Sequence, residues 1–439
     1  MRSRRLLLAA ILVCCVVGRG AYVVHLSHSN EIETTKGDTP TYLGPANELV
    51  DHGRFDSATL PGGAEFLRTP GYPVFIAAVY RVFGENDNTA VLLVQVLLSA
   101  LTVFLAYLLA ARVWSVPIGL LAALFVTLDP LQTITSATLL TEVLDALLLL
   151  AVAVVGFAAF STQRTRPRLW ALLGLVIAIA TLVRPVTYYL PLLVIVLLVV
   201  RHMRHRDRWR DLTTALAAFL VPLVILLGGW QLRNHERVGS WRLSGVEGKN
   251  LYLFRAGGVI ARRSGVPLAD VQHHLRREVG PLTAETQGTY YGRMYKSGMH
   301  TVLSHPFDAL IGTVNGLWSE LFSVRLKSFA YLGFGPNRGG IIVPAVMSLV
   351  AFYALCGYGI VLVARRRQHL LAHLFVVGIA VYVLVASAGP EAFGGRGERF
   401  RAPIVPILIL YAARGAHGLF ARFRDAGISS RTAPGSSME

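Results

Sequence analysis

Apolar runs about as long as a bilayer is thick recur along the chain, separated by short breaks rich in arginine or proline. A transmembrane helix needs roughly 20 mostly apolar residues. By that rule the runs predict ten spans, at 6–26, 88–112, 115–132, 136–161, 169–183, 186–200, 212–230, 342–364, 370–388 and 402–420. The short pair flanking Arg184-Pro185 can be divided differently, and the count rises to eleven to thirteen if parts of 231–341 enter the bilayer. The pattern predicts an all-α polytopic membrane protein of about ten transmembrane helices. Residues 1–230 form a transmembrane module that includes a first external loop, 27–87. Residues 231–341 are a larger external loop after the seventh span. Residues 342–425 hold the last helices, and 426–439 read as a disordered cytoplasmic tail.

The arginines orient the bundle. Short cytoplasmic loops carry an excess of Lys and Arg. Arg2, Arg4 and Arg5 precede the first span, and Arg164, Arg166 and Arg168 follow the fourth. Arg201, Arg204, Arg206, Arg208 and Arg210 follow the sixth, Arg365 to Arg367 the eighth, and Arg422 and Arg424 the tenth. Alternation over ten spans puts all five clusters on one side. Both termini are then cytoplasmic, and 27–87, 231–341 and 389–401 face outward. The first apolar run can alternatively be read as a signal peptide, but no small-residue cleavage site is evident, and either reading leaves Asp38 outside. The basic character of 231–341 lies beyond the reach of the loop-charge rule, and an anionic ligand is one reason for it.

Two shorter apolar stretches sit in the first outer loop. From Tyr42 to Val50 the pattern fits a short helix, with Asp38 as its N-cap, Pro40 in the first turn and Gly53 closing it. Pro70-Gly71-Tyr72-Pro73 marks a rigid turn before Val74–Phe83, which is too short to span. Both are expected as interfacial helices.

Composition agrees with a lipid environment. The chain is 54% hydrophobic and 15% charged, against about 25% charged in soluble domains. Disorder and a soluble nucleic-acid binder are excluded despite the net charge of +17. Cys14, Cys15 and Cys356 lie in apolar runs and imply neither a disulfide framework nor a Cys-based metal site.

The candidate chemistry gathers on the outer side. No phosphate-binding P-loop, HExxH, GxSxG or dinucleotide fingerprint is present, and Gly394-Gly395-Arg396-Gly397 merely joins two spans. Glu142 and Asp145, three apart on one helical face, are costly in a span and call for a function or a buried partner such as Arg184. Arg68, Arg184, Arg233, Arg399 and Arg401 face the same outer level. Snorkelling explains one or two such arginines, and guanidinium forks suit phosphate oxygens. Glu142 with His235 or His300 could take a divalent ion. Histidines without close partner spacing read more often as ordinary polar residues, so no metal ligand is assigned and a divalent ion stays the lesser alternative.

Several of these pieces, in order, resemble the GT-C class of polytopic glycosyltransferases, in particular bacterial relatives of protein O-mannosyltransferases and of the lipid A aminoarabinose transferase. They are Gly37-Asp38-x3-Tyr42, Arg68-x-Pro70-Gly71-Tyr72-Pro73, Thr141-Glu142, Leu182-x-Arg184-Pro185, Trp230-x2-Arg233-Asn234 with Gly248-x-Asn250-Leu251, and Glu398-Arg399-Phe400-Arg401-x-Pro403. The resemblance covers residues 1–420. It implies an inner-membrane enzyme that takes a sugar from a polyprenyl-phosphate carrier, usually with inversion. The sugar passes to an envelope glycolipid such as lipid A, to a glycan or to a protein on the non-cytoplasmic side. It also implies that Asp38 orients and deprotonates the acceptor. Arg184, with Arg68, Arg399 and Arg401 as further candidates, would hold the lipid phosphate, and Tyr42, Tyr72, Glu142 and Arg233 would complete the substrate site. Two features depart from the pattern: Thr39 follows Asp38 where many relatives have a second acid, and 231–341 contains no nameable folded module. A flippase for a lipid-linked sugar is the alternative from another class, though neither internal symmetry nor matching broken spans are evident. An envelope polysaccharide polymerase or ligase, relying on arginines of the large loop, is a third.

Overall fold

The computed structural model describes residues 2–60, 62–162, 164–205, 209–324, 339–389 and 397–431. The first half contains α1 (Arg2–His28), α2 (Pro40–Asp51), α3 (Gly71–Phe83), α4 (Asn88–Val113), α5 (Val116–Leu128), α6 (Pro130–Ser136), α7 (Glu142–Ser161), α8 (Pro167–Val183), α9 (Leu190–His205) and α10 (Trp209–Leu223). There follow α11 (Gly229–Val238), α12 (Val246–Lys249), α13 (Gly257–Ser264), α14 (Leu268–Val279), α15 (Gln287–Ser304), α16 (Pro306–Phe322), α17 (Gly339–Arg366), α18 (Leu370–Ser387), α19 (Gly397–Arg401) and α20 (Val405–Arg431). No strand occurs among the described residues beyond one isolated bridge, Asp56 to Ala64.

Eight helical runs among these residues are long and apolar enough to cross a membrane. The pair α5 and α6, bent by 56°, supplies a ninth if it counts as one span. The tenth predicted segment is α8, whose 17 residues reach about 25 Å at 1.5 Å each, short of the roughly 30 Å hydrocarbon layer. The protein is an all-α polytopic membrane protein, as the pattern predicted.

The predicted span 115–132 is not one straight helix. Pro130 has no N–H to continue α5, and the Asp129 carboxylate instead accepts from the Gln132 N–H at 2.9 Å to start α6. The carbonyls freed at the end of α5 are met by Arg19, buried in α1, which donates to Val126 O at 2.6 Å and also bonds Ser99. The fourth span likewise begins at Glu142 rather than at 136, because residues 137–141 turn between α6 and α7. Glu142 and Asp145 therefore occupy the first turn of α7, not its interior, where the positive end of the helix dipole favours acids.

The bundle core joins Val103, Leu149, Trp170, Phe219, Phe375 and Ile407 from different spans. Glycines allow the closest approaches. A Cβ at Gly359 in α17 would lie 1.9 Å from Tyr411 O, and one at Gly415 in α20 would lie 2.0 Å from Leu355 O, so these two helices touch backbone to backbone.

Both interfacial helices form, as α2 and α3. The loop 231–341, expected to lack a module, is helical through α16 and has its own core. Tyr252, Leu253, Val271, Leu275, Tyr291 and Met294 pack there with Phe66 from the first outer loop. This cap covers one end of the bundle. At the other extreme of the chain, α20 extends to Arg431, so the start of the tail is helical; the remainder of the tail lies outside the described residues. Gly394, Gly395, Arg396, Arg206 and Arg208 also lie outside them.

Candidate active site

Five segments meet beneath the cap: the turn after α1, the approach to α3, the start of α7, the end of α8, and α19. Gly71 makes one of these meetings possible. A side chain there would put its Cβ 2.7 Å from Leu182 O, so only glycine lets the turn after Arg68 lie against the end of α8 beside Arg184. The space enclosed is a cavity of about 830 Å³, lined by Asp38, Tyr42, Arg68, Arg184 and Arg399 on the bundle side.

Asp38 is held from two directions. Arg68 Nη2 donates to Oδ1 at 2.5 Å, and Arg399 Nη1 donates to Oδ2 at 3.0 Å. Sequence reading also assigned Asp38 a capping role, but its side chain makes no cap: Thr39 is the N-cap residue of α2, and only the Asp38 carbonyl accepts from Thr41. Burial would raise the Asp38 pKa, yet Arg68, and after it Arg399 and Lys249, hold this carboxyl well below its ordinary value. Arg68 is fixed in turn by Thr41 Oγ1 at 2.9 Å and Tyr42 OH at 3.0 Å, and its guanidinium lies 4.4 Å from the Tyr42 ring centre.

Behind Arg399 stands Glu142, which accepts from Arg399 Nε. Arg184 Nη1 approaches Glu142 at 3.8 Å and Asp145 at 3.5 Å, yet it makes no hydrogen bond to either. Three guanidiniums, Arg68, Arg184 and Arg399, thus face three carboxylates, Asp38, Glu142 and Asp145. Arg184 is the least committed of the three guanidiniums.

Other residues singled out from the sequence do different work. Tyr72 is buried behind Tyr42, ring to ring at 5.2 Å, and donates to Gln95 at 2.8 Å. Gln95 donates onward to Thr138 O at 3.0 Å, which pins the turn that delivers Glu142. Arg233 lies outside the cavity lining: it donates to Phe55 O and Glu65 O, both at 2.7 Å, and packs on Trp230. Arg401 also lies outside it, donating to the carbonyls of Glu320, Leu321 and Ser323 at 2.7–3.0 Å and so closing the end of α16. Residues from the cap that sequence reading left unnamed as site residues complete the lining: Lys249, Arg255, Gln272 and Arg276. Their only sequence signal was the arginine excess of the loop.

Among the described residues no group of three or more His, Cys, Asp or Glu side chains is placed to hold a metal ion. The carboxylates of the site already face guanidiniums, and His235 stacks on Trp241 at 4.2 Å.

The sequence model of dolichyl-phosphate-mannose-protein mannosyltransferases matches residues 67–230. Among curated proteins none matches the chain. Archaeal oligosaccharyltransferase AglB from Archaeoglobus fulgidus, solved with an inhibitory peptide and a dolichol-phosphate, is similar over 98% of this chain and 52% of its own, at 11% identity and TM-score 0.54. Its apo form gives 13% identity and TM-score 0.55 over the same shares. ArnT from Cupriavidus metallidurans bound to undecaprenyl phosphate gives 16% identity and TM-score 0.40, over 89% of this chain and 77% of its own. The chain spans about half the length of the archaeal enzyme. Residues 67–230 thus carry the sequence pattern of the mannosyltransferase model, and the chain as a whole shares its fold with the membrane part of the archaeal oligosaccharyltransferase.

Proposed function

We propose that this protein transfers a sugar from a polyprenyl-phosphate carrier to a hydroxyl acceptor of the cell envelope, on the non-cytoplasmic side of the membrane. The observation that carries this reading is Asp38, bridged by Arg68 and Arg399 in one cavity with Arg184. The carrier phosphate binds at Arg184 and Arg399. As the acceptor oxygen bonds the anomeric carbon, the bond from that carbon to the phosphate oxygen breaks and its electron pair stays with the phosphate. The arginines stabilise that growing charge more than they stabilise the bound donor. Asp38 accepts the hydroxyl proton.

A carboxylate clamped by two guanidiniums is a poor base. Charge building on the phosphate draws the Arg399 guanidinium away from Asp38, so basicity rises as the acceptor is attacked. The orientation also has support. The arginine clusters at 164–168, 201–204, 365–366 and 422–424 lie at the helix ends opposite the cavity, as the loop-charge rule requires of a cytoplasmic side.

The test is release of carrier phosphate from a panel of polyprenyl-phosphate sugars by the purified protein. Asp38→Asn is expected to lower transfer by roughly 10²-fold or more while carrier binding persists. Arg184→Ala is expected to weaken carrier binding more than acceptor binding. Transfer at the normal rate by Asp38→Asn would overturn the proton-acceptor role, and movement of the carrier across vesicles without transfer would favour a flippase.

A further inference from the structure

The two walls of the cavity differ in charge. On the bundle wall, three guanidiniums face three carboxylates before any ligand arrives. The cap wall is not balanced in this way. The π-helical segment Asn250–Ala256 and helix α14 build it. In the wider i to i+5 register Asn250 and Arg255 both reach the cavity. Along α14, Leu268, Gln272 and Arg276 recur every fourth residue and line it as one stripe.

Little negative charge opposes this wall. Among the described residues no carboxylate lies within ion-pair distance of Arg255 or Arg276. Glu247, which also lines the cavity, is pushed up to about 7 by burial against the pull of Arg242. Glu320, behind Arg255, is pushed up to about 8 by burial. Arg255 donates to Ala386 O at 2.8 Å, which leaves further donors of its guanidinium for a ligand. The cavity volume lies in the upper part of the usual 300–1,000 Å³ range for ligand pockets, with room for more than one phosphate-bearing group.

We propose that Arg255, Gln272 and Arg276 form a second phosphate-binding subsite facing the Arg184–Arg399 wall. Its phosphate is either the second one of a polyprenyl pyrophosphate carrier or one borne by a glycolipid acceptor. The proposal rests on the glycosyltransferase reading for what occupies the first wall, not for its own charge and geometry.

The test uses the full-length protein in detergent micelles and four probes: undecaprenyl phosphate, undecaprenyl pyrophosphate, and lipid A with and without its phosphates. Arg276→Gln alters an exposed side chain and is expected to fold, and Arg255→Gln provides the second variant. Arg277→Gln, the neighbouring charge outside the lining, is the control. Each subsite variant is expected to weaken one doubly phosphorylated probe roughly ten-fold, with undecaprenyl phosphate binding held within about two-fold and the control unchanged. Loss confined to the pyrophosphate carrier assigns the subsite to the donor; loss confined to phosphorylated lipid A assigns it to the acceptor. Wild-type affinity of both variants for all four probes, or equal loss with Arg277→Gln, would overturn the proposal. Failure of the wild-type protein to bind undecaprenyl phosphate would instead sink the reading of the first wall, and the other three probes would still report on the second.

Discussion

A carboxylate between two guanidiniums stays ionised far into acid, and this sets how Asp38 responds to pH. Its pKa is depressed in the folded protein, so the ionised form that the proposed role as proton acceptor requires is present above that value and lost only as pH falls through it. Removing one clamp with Arg399→Gln moves the pKa back toward 3.8. The acid limb of the kcat/KM profile is expected to shift to higher pH, whatever the loss in absolute rate; an unmoved limb would count against the clamp. Glu65 has the opposite sign. Burial raises it from 4.5 to about 7, against the Arg68 N–H it accepts at 2.8 Å. Folding therefore favours its neutral form, and its contribution to stability falls as pH rises from 4.5 to about 7. Melting curves of Glu65→Gln are expected to lose that part of the pH dependence. Glu142, Asp145 and their arginine partner were legible because charged groups at bilayer depth are costly and need an explanation, whereas Asp38 read by itself as a helix cap and stood out only through the resemblance. Arg233 and Arg401 resemble Arg184 in type and level along the chain. Only folding shows that they serve backbone carbonyls, because the partner of a guanidinium is set by distant segments.

Helices carry the site through their ends. The proline at 130 made a break visible in principle, yet the run from 115 to 161 is apolar enough to read as two plain spans. The polar Thr133, Thr135, Ser136 and Thr138 satisfy their turns locally by bonding carbonyls three or four residues back, and so left little trace in hydropathy. The cap was hidden for a different reason: its core uses tyrosines and scattered leucines from short helices, too few per segment to give a strong period. The contact between α17 and α20 yields a prediction at this scale. Gly359→Ala or Gly415→Ala forces apart backbones that meet at about 2 Å from the added carbon. Each is expected to cost about 1–3 kcal/mol, read as a lower melting temperature in detergent. Activity should fall with it, because α20 continues from the helix bearing Arg399.

At the scale of the molecule, the count of ten apolar segments and the alternation of arginine clusters carried the architecture. Each rests on bulk properties of lipid and water rather than on particular contacts. The same alternation is the basis for the proposal that the cavity opens to the non-cytoplasmic face. A cysteine introduced at His52, exposed at the end of α2, is expected to react with an impermeant maleimide on intact cells or right-side-out vesicles. One at Arg166 is expected to react only after permeabilisation, and the reverse pattern would turn the protein over. The clamp on Asp38 joins parts of the chain 361 residues apart. During synthesis, the ribosome must therefore deliver Arg399 into the membrane before Asp38 acquires its second partner. Until then a half-made polypeptide lacks one arm of the clamp, so the site is completed only late in translation.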